Sequence, residues 1–251
     1  MEGAGKLNAG AGSGSVQRLR ALVDTLGGAA TCLYLLHRLV SLLSGGRARL
    51  IAYALCAQPI GTGRVAAMRE DASTSIAVVA ASDPICAIFP RPAAVIRQRF
   101  DEAARCYVAR VKGDFGGFIW ISRERHAEDE VRCQYVLAAP ERSVWDFDVY
   151  VEPRLRFGRT LARLWWHVDQ TMAREGVRWS FSRISLFNAG SLAAHQRLGA
   201  VRLGSALFLV LGPLQLAMLS VAPFVHASWG SNSGPRIRLS PPEQGRSTTG
   251  A

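Results

Sequence analysis

Residues 144–175 read VWDFDVYVEPRLRFGRTLARLWWHVDQTMARE. The first eight alternate, with Trp145, Phe147, Val149 and Val151 on one side and Asp146, Asp148 and Tyr150 on the other, which is the period of a strand. Glu152-Pro153 ends it, and from Thr160 the apolar residues Leu161, Leu164, Trp165, Val168 and Met172 recur at helical spacing until Gly176. Two carboxylates and a phenol on one strand face are costly to bury unpaired, so that face is expected to open into a cleft. Between strand and helix lies RLRFGR (154–159). A helix start presents unbonded N–H groups and partial positive charge, and here Arg154, Arg156 and Arg159 surround it while Gly158 permits close backbone approach. The turn is therefore suited to a phosphate or pyrophosphate; a solvated arginine-rich loop is the plainer reading of the same residues.

Upstream, IAVVA (76–80) reads as a strand and PAAVIRQRFDEAARCY (92–107) as a helix with Val95, Ile96, Arg99, Phe100 and Ala103 on one side. CYVARV (106–111) and FGGFIWI (115–121) form a hairpin about Lys112-Gly113-Asp114, and the acidic loop ERHAEDE (124–130) precedes a further strand, VRCQYVLA (131–138). Downstream, VRWSFSRISLFN (177–188) is strand-like, with a change of phase that suggests a bulge. A short helix (Ser191–Leu198) and a strand (201–212) follow it. The order from Ile76, β-α-β-β-β-β-α-β-α-β, predicts an α/β (α+β) domain with a mixed sheet.

Asn188, Ser191, His195 and Gly199 stand at N-x-x-S-x-x-x-H-x-x-x-G spacing, and Val151 to Arg156 reads V-x-P-x-x-R. Together these resemble the GNAT superfamily of acyl-CoA-dependent N-acyltransferases, over about 76–212 and most strongly over 144–200. The resemblance implies a mixed, mostly antiparallel sheet flanked by helices, with acetyl-CoA or another acyl-CoA as co-substrate and direct transfer to a primary amine. It also implies backbone hydrogen bonds from Val149 and Val151 to the pantetheine arm, a pyrophosphate site at Arg154, Arg156, Phe157, Gly158, Arg159 and Thr160, and an acyl end lined by Asn188 and Ser191. His195 falls where the family has the tyrosine that protonates the departing thiolate; imidazolium is a competent general acid. The family's turn carries more glycine than the single Gly158 here. Asp146 and Asp148 are the candidates to orient or deprotonate the amine, with Glu124 behind them. A catalytically degenerate GNAT-like binding or scaffold protein, at a membrane surface or a carrier protein, is the alternative.

Thirty basic residues, 28 of them arginine, against 19 acidic give a net charge of +11, which favours anionic partners. The charge is −4 over 101–152 and +7 over 153–202, a polarity across the proposed cleft. Nucleic acid is disfavoured, because no aromatic-basic stripe appears. Five cysteines without a C-x-x-C pair or a histidine at ligand spacing argue against disulfides and a metal, and favour a reducing compartment. No secretory signal is read in residues 1–15, and the expected location is the cytoplasm.

Composition divides the remainder. Residues 1–15 and 227–251 read as disordered tails, and 213–226 as an apolar C-terminal segment. Residues 16–75 read as an N-terminal helical extension: a helix over 16–44 broken at Gly27-Gly28, then LIAYALCA (50–57), strand or short helix. Tyr34, His37, Arg38 and Ser41 form a narrow polar stripe on an otherwise apolar helix. Packing on its own protein is the first expectation, with peripheral membrane contact through 29–43 or a homodimer as the others. The uncharged run 205–225 is long enough for a span but is interrupted at Gly212-Pro213.

Overall fold

The computed structural model describes residue 17 and residues 20–69, 71–230 and 233–242. Two helices open it, α1 (Arg20–Leu26) and α2 (Gly28–Leu43), meeting at 118° across Gly27. Then come β1 (Ala48–Pro59), β2 (Thr74–Val79), a 3-10 turn (Pro84–Ile88), α3 (Ala93–Asp101), β3 (Arg105–Val111), β4 (Asp114–Ser122), β5 (Arg125–Ala127), β6 (Gln134–Leu137) and β7 (Ser143–Val151). A 3-10 turn (Pro153–Leu155) leads to α4 (Thr160–Arg174), β8 (Trp179–Ser185), α5 (Ala189–Arg197), β9 (Val201–Leu211), β10 (Leu214–Leu219), β11 (Val225–Trp229) and β12 (Arg236–Leu239).

Nine strands form one sheet in the order β11-β10-β9-β1-β8-β7-β4-β3-β2, and β12-β6-β5 form a second. Every pair in the large sheet is antiparallel except β7 with β8. α4 makes the crossover between those two and buries Leu164, Val168 and Met172 against Ile119, Ile121 and Val144. The opposite face is covered at one end by α3 and its preceding turn, over Phe89, Phe118 and Trp120, and at the other by the small sheet, where Tyr135 stacks on Trp145 at 4.2 Å. The fold is thus mixed α+β, with a mostly antiparallel sheet flanked by helices, as the resemblance implies.

Several boundaries differ from the sequence reading. Residues 48–59 are not part of a helical extension: β1 lies in the middle of the sheet, between β8 and β9. Its pattern carries no alternation because both faces are buried, Tyr53, Leu55 and Ala57 against Phe181 and Phe208, and Ala54 and Cys56 against Ile184. The domain therefore does not begin at 76; β2 itself starts at Thr74. Residues 213–226 supply β10 and the start of β11, and the expected tail from 227 contains the rest of β11 and all of β12, whose Ile237 and Leu239 are buried beside β6. Residues 1–15 and 243–251 lie outside the described residues. α3 ends at Asp101, followed by a left-handed Ala103, rather than running to 107. The change of phase in 177–188 is no bulge, since β8 pairs with β1 in unbroken register; Phe181 enters one core and Ile184 another. A chain begun at residue 76 loses the strand joining β8 to β9 and is expected to give no cooperative thermal transition, whereas one begun at residue 20 keeps it.

Candidate active site

The site follows from one irregularity in β7. Trp120 pairs with Phe147 but Phe118 pairs with Tyr150, so Asp148 and Val149 together oppose Ile119, and Asp148 takes a positive φ of 44°. This bulge reverses the alternation. Trp145 and Phe147 pack on the side of the small sheet and α3, whereas Val149 and Val151 pack towards α4. Gly117 permits it: a Cβ there would run into the backbone of Tyr150 and Val151. The two aspartates, expected on one face, accordingly leave β7 in different directions.

Asp146 pairs with Ile121 on the α4 side and is fully buried, and its Oδ2 accepts a hydrogen bond from Ser180 Oγ at 2.6 Å. Burial pushes its carboxyl up to about 7, against the opposing pull of that hydrogen bond. Asp148 turns towards α3, where Arg91 donates through Nε at 2.8 Å and through Nη2, and Arg99 through Nη1. Arg99 also reaches Asp129 at 2.5 Å and lies over the rings of Trp120 and Phe147.

β7 and β8 pair only over Ser143–Trp145 and Trp179–Phe181. Beyond that the strands part, and a cavity of about 590 Å³ occupies the opening. Asp146, Asp148 and Val149 line it from β7, Ser182 to Ser185 from β8, Arg91 and Arg99 from the α3 side, and Trp165 from α4. α5 brings Asn188, Ser191 and His195 to the same wall. Asn188 caps α5, its Oδ1 accepting the Ser191 amide at 3.0 Å. His195 packs edge-on to Trp165, its Nδ1 is buried with no hydrogen-bond partner among the described residues, and burial lowers its pKa.

Val151 and the turn 154–160 do not line this cavity. The turn is closed on itself: the Gly158 amide donates to Leu155 O at 3.0 Å and Arg156 Nε to Val151 O at 3.2 Å. Arg154 reaches Phe115 O and Asp114, and the Phe157 ring is fully exposed. No side chain caps α4 at Arg159, and the first amide of the helix to return to the turn is that of Arg163. Glu124 sits in the β4–β5 turn with a positive φ, away from the cavity.

Several groups on the cavity wall escaped the sequence reading. Arg183 on β8 is held by the buried Glu128 at 2.6–3.1 Å and lies over the Tyr53 ring; Tyr53 donates to Glu130 at 2.5 Å. His126, its ring tilted against Phe147 at 4.0 Å, is pushed down to about 3 by burial and by Arg99 and Arg183. Arg99 did leave a signal, as the one charged residue among the apolar positions of α3.

No family model matches the sequence, and no curated protein matches it. Solved structures do. A functionally unknown conserved protein from Staphylococcus epidermidis has 12% identity and a TM-score of 0.46, over 68% of this chain and 66% of that one. A tandem GNAT protein from the clavulanic acid biosynthesis pathway has 13% and 0.44, over 67% and 56%. A GCN5-related N-acetyltransferase from Kribbella flavida has 14% and 0.37, over 69% and 63%. The chain spans less than two thirds of each of these three. The parallel β7–β8 pair, the crossover helix between them and the bulge at Asp148 are the part of the mixed, mostly antiparallel α+β fold that builds this site.

Proposed function

We propose that the protein transfers an acyl group, acetyl by preference of the resemblance, from acyl-CoA directly to a primary amine. The observation that carries this is the opening between β7 and β8, which gathers Asp146, Asn188, Ser191 and His195 about one cavity. The edge of β7 facing β8 past Trp145 has no strand partner, so the backbone near Val149 is free to pair with an amide-bearing arm. The uncapped start of α4 with Arg156 and Arg159 suits a pyrophosphate. Within the cavity Asp146, titrating near neutrality, takes a proton from the acceptor's ammonium, and the neutral amine so formed attacks the thioester carbonyl. The fraction of His195 that is protonated gives its proton to the leaving sulfur, the lowered pKa making imidazolium scarcer and a stronger acid. Asp129 and Glu130, both partly exposed, place negative charge on the same wall for a cationic acceptor.

A thermal-shift screen of CoA thioesters followed by thiol release with a panel of amines tests the reading. Arg156→Gln with Arg159→Gln is expected to weaken CoA binding about tenfold or more, on the scale of hydrogen bonds to charged groups. No binding of any acyl-CoA would sink the proposal. The closed turn, with Gly158 and Arg156 already engaged inside it, favours the degenerate binding protein as second reading; CoA binding without any amine acylation would select it.

A further inference from the structure

We propose that the outer face of α2, with the adjoining outer face of β9–β11, docks on an anionic lipid bilayer. α2 is mounted inside out. Tyr34 and His37 of its polar stripe face the protein, with Arg38 left exposed at the stripe's edge: Thr31 beside them is buried, His37 Nδ1 lies 2.8 Å from Leu50 O, and Tyr34 meets Phe187 edge-on at 5.5 Å. Its leucines face outward at Leu35, Leu36, Leu39, Leu42 and Leu43, the last two 78% exposed. A surface helix ordinarily does the reverse, because each leucine left in water forgoes the transfer free energy of burial.

The helix is not alone. Leu43 and Leu211 line one groove, and the β9–β10–β11 register carries the apolar face onward through Leu216, Met218, Val225 and Trp229, on the side opposite the buried Phe208 and Ala217. Val225 and Trp229 are 71% and 72% exposed. An apolar surface assembled from a helix and three strands is beyond the scattered exposed residues of an ordinary surface and marks an interaction site.

Charge chooses the occupant. Over residues 20–48 the arginines Arg20, Arg38 and Arg47 are exposed and Asp24 is the sole acid; over 201–229 there is no acid at all. A two-fold partner copy would set the same arginines near their counterparts, whereas an anionic headgroup layer meets them with opposite charge. α2, at 16 residues, is seated by its polar stripe, the posture of a helix lying in the headgroup plane rather than crossing it. An exposed tryptophan such as Trp229 suits the same depth.

The test is co-sedimentation of the full chain with vesicles of phosphatidylcholine, with and without phosphatidylserine. Binding is expected only where phosphatidylserine is present, weakening about fivefold for each of Arg38→Gln and Arg47→Gln and similarly on adding salt. Leu39→Glu with Leu43→Glu should abolish it while leaving the thermal transition in place; should that pair fail to fold, the arginine variants and the salt series decide. Equal retention by both vesicle types, retention by neither, or a lipid-free dimer that the leucine pair converts to monomer would each overturn the proposal.

Discussion

Replacing Asp146 by asparagine is expected to lower kcat by about a hundred- to ten-thousandfold, the range of a lost general base, while CoA thioester affinity stays within a few-fold. Asparagine keeps the size of the side chain and its contact with Ser180, so the loss reports the missing proton acceptor rather than a collapsed wall. The pH profile separates this from a packing effect. Asp146 must be ionised and His195 protonated, and their requirements overlap narrowly, because burial raises the first to about 7 and lowers the second. kcat should therefore pass through a maximum between the lowered histidine value and about 7. Asp146→Asn removes the rise on the acid side, and His195→Ala removes the fall on the alkaline side. A retained acid limb in Asp146→Asn would show that another group accepts the proton.

The same substitution carries a stability signature of opposite sign. Asp146 holds its proton more tightly folded than unfolded, so the native state binds more protons between the ordinary aspartate range and about 7. Stability contributed by the protonated form is present below that window and is lost as pH rises through it. Above pH 7 the wild-type chain holds a buried carboxylate whose only side-chain hydrogen-bond donor among the described residues is Ser180. Asp146→Asn is expected to be neutral or stabilising there, by up to a few kcal/mol on the scale of linkage, in a variant that has lost its activity. Denaturant melts of both chains at acid and alkaline pH measure it.

The sequence made the crossover unit legible because polar residues punctuate the apolar ones in each of its elements, even in β7, which is buried on both faces over Ser143–Asp146. β7 alternates as far as Phe147, α4 shows its helical period, and Asn188 and Gly199 bracket α5. Where apolar side chains line both faces the period vanishes, and β1 became indistinguishable from a short helix for that reason. β12 was lost for another: a four-residue strand in a Gly/Ser/Pro-rich stretch is stabilised by its long-range partner β6, to which composition gives no pointer. Asp146 could be nominated from the alternation of its strand, and Asn188, Ser191 and His195 from the resemblance that their motif carries. Their arrangement about the bulge could not, because strict alternation places Asp148 beside Asp146, and only the pairing with β4 shows that one extra residue sends it the other way. The inverted mounting of α2 was hidden likewise, since the periodicity of a helix gives two faces without saying which of them meets the protein.

The second large effect falls on Asp148, and it is one of stability. Asp148→Asn is expected to cost about 3–5 kcal/mol, as when one partner of a buried ion pair is removed. That corresponds to a fall of roughly 6–20 °C in Tm for a domain of this size. Asparagine tolerates the left-handed backbone of the bulge nearly as well as aspartate does, so the loss belongs to the charge. Arg99 is 5% exposed, and among the described residues its Nε has no partner and without Asp148 it keeps only Asp129, whose side chain is half in water. Arg91 differs. It is a third exposed, and its removal leaves Asp148 with Arg99, so Arg91→Gln should cost only about 1 kcal/mol. The contrast follows from geometry: Arg99 ties α3 to β7 at the bulge, with its guanidinium over Trp120 and Phe147, whereas Arg91 closes the same carboxylate from the outer side. A carboxylate claimed by two guanidiniums is poorly placed to accept a proton from an amine, so Asp148→Asn should leave the shape of the pH profile unchanged even where kcat falls. If Asp148→Asn instead melted with the wild-type chain and lost the acid limb, Asp148 and not Asp146 would be the base, and the bulge would serve to aim it into the cavity.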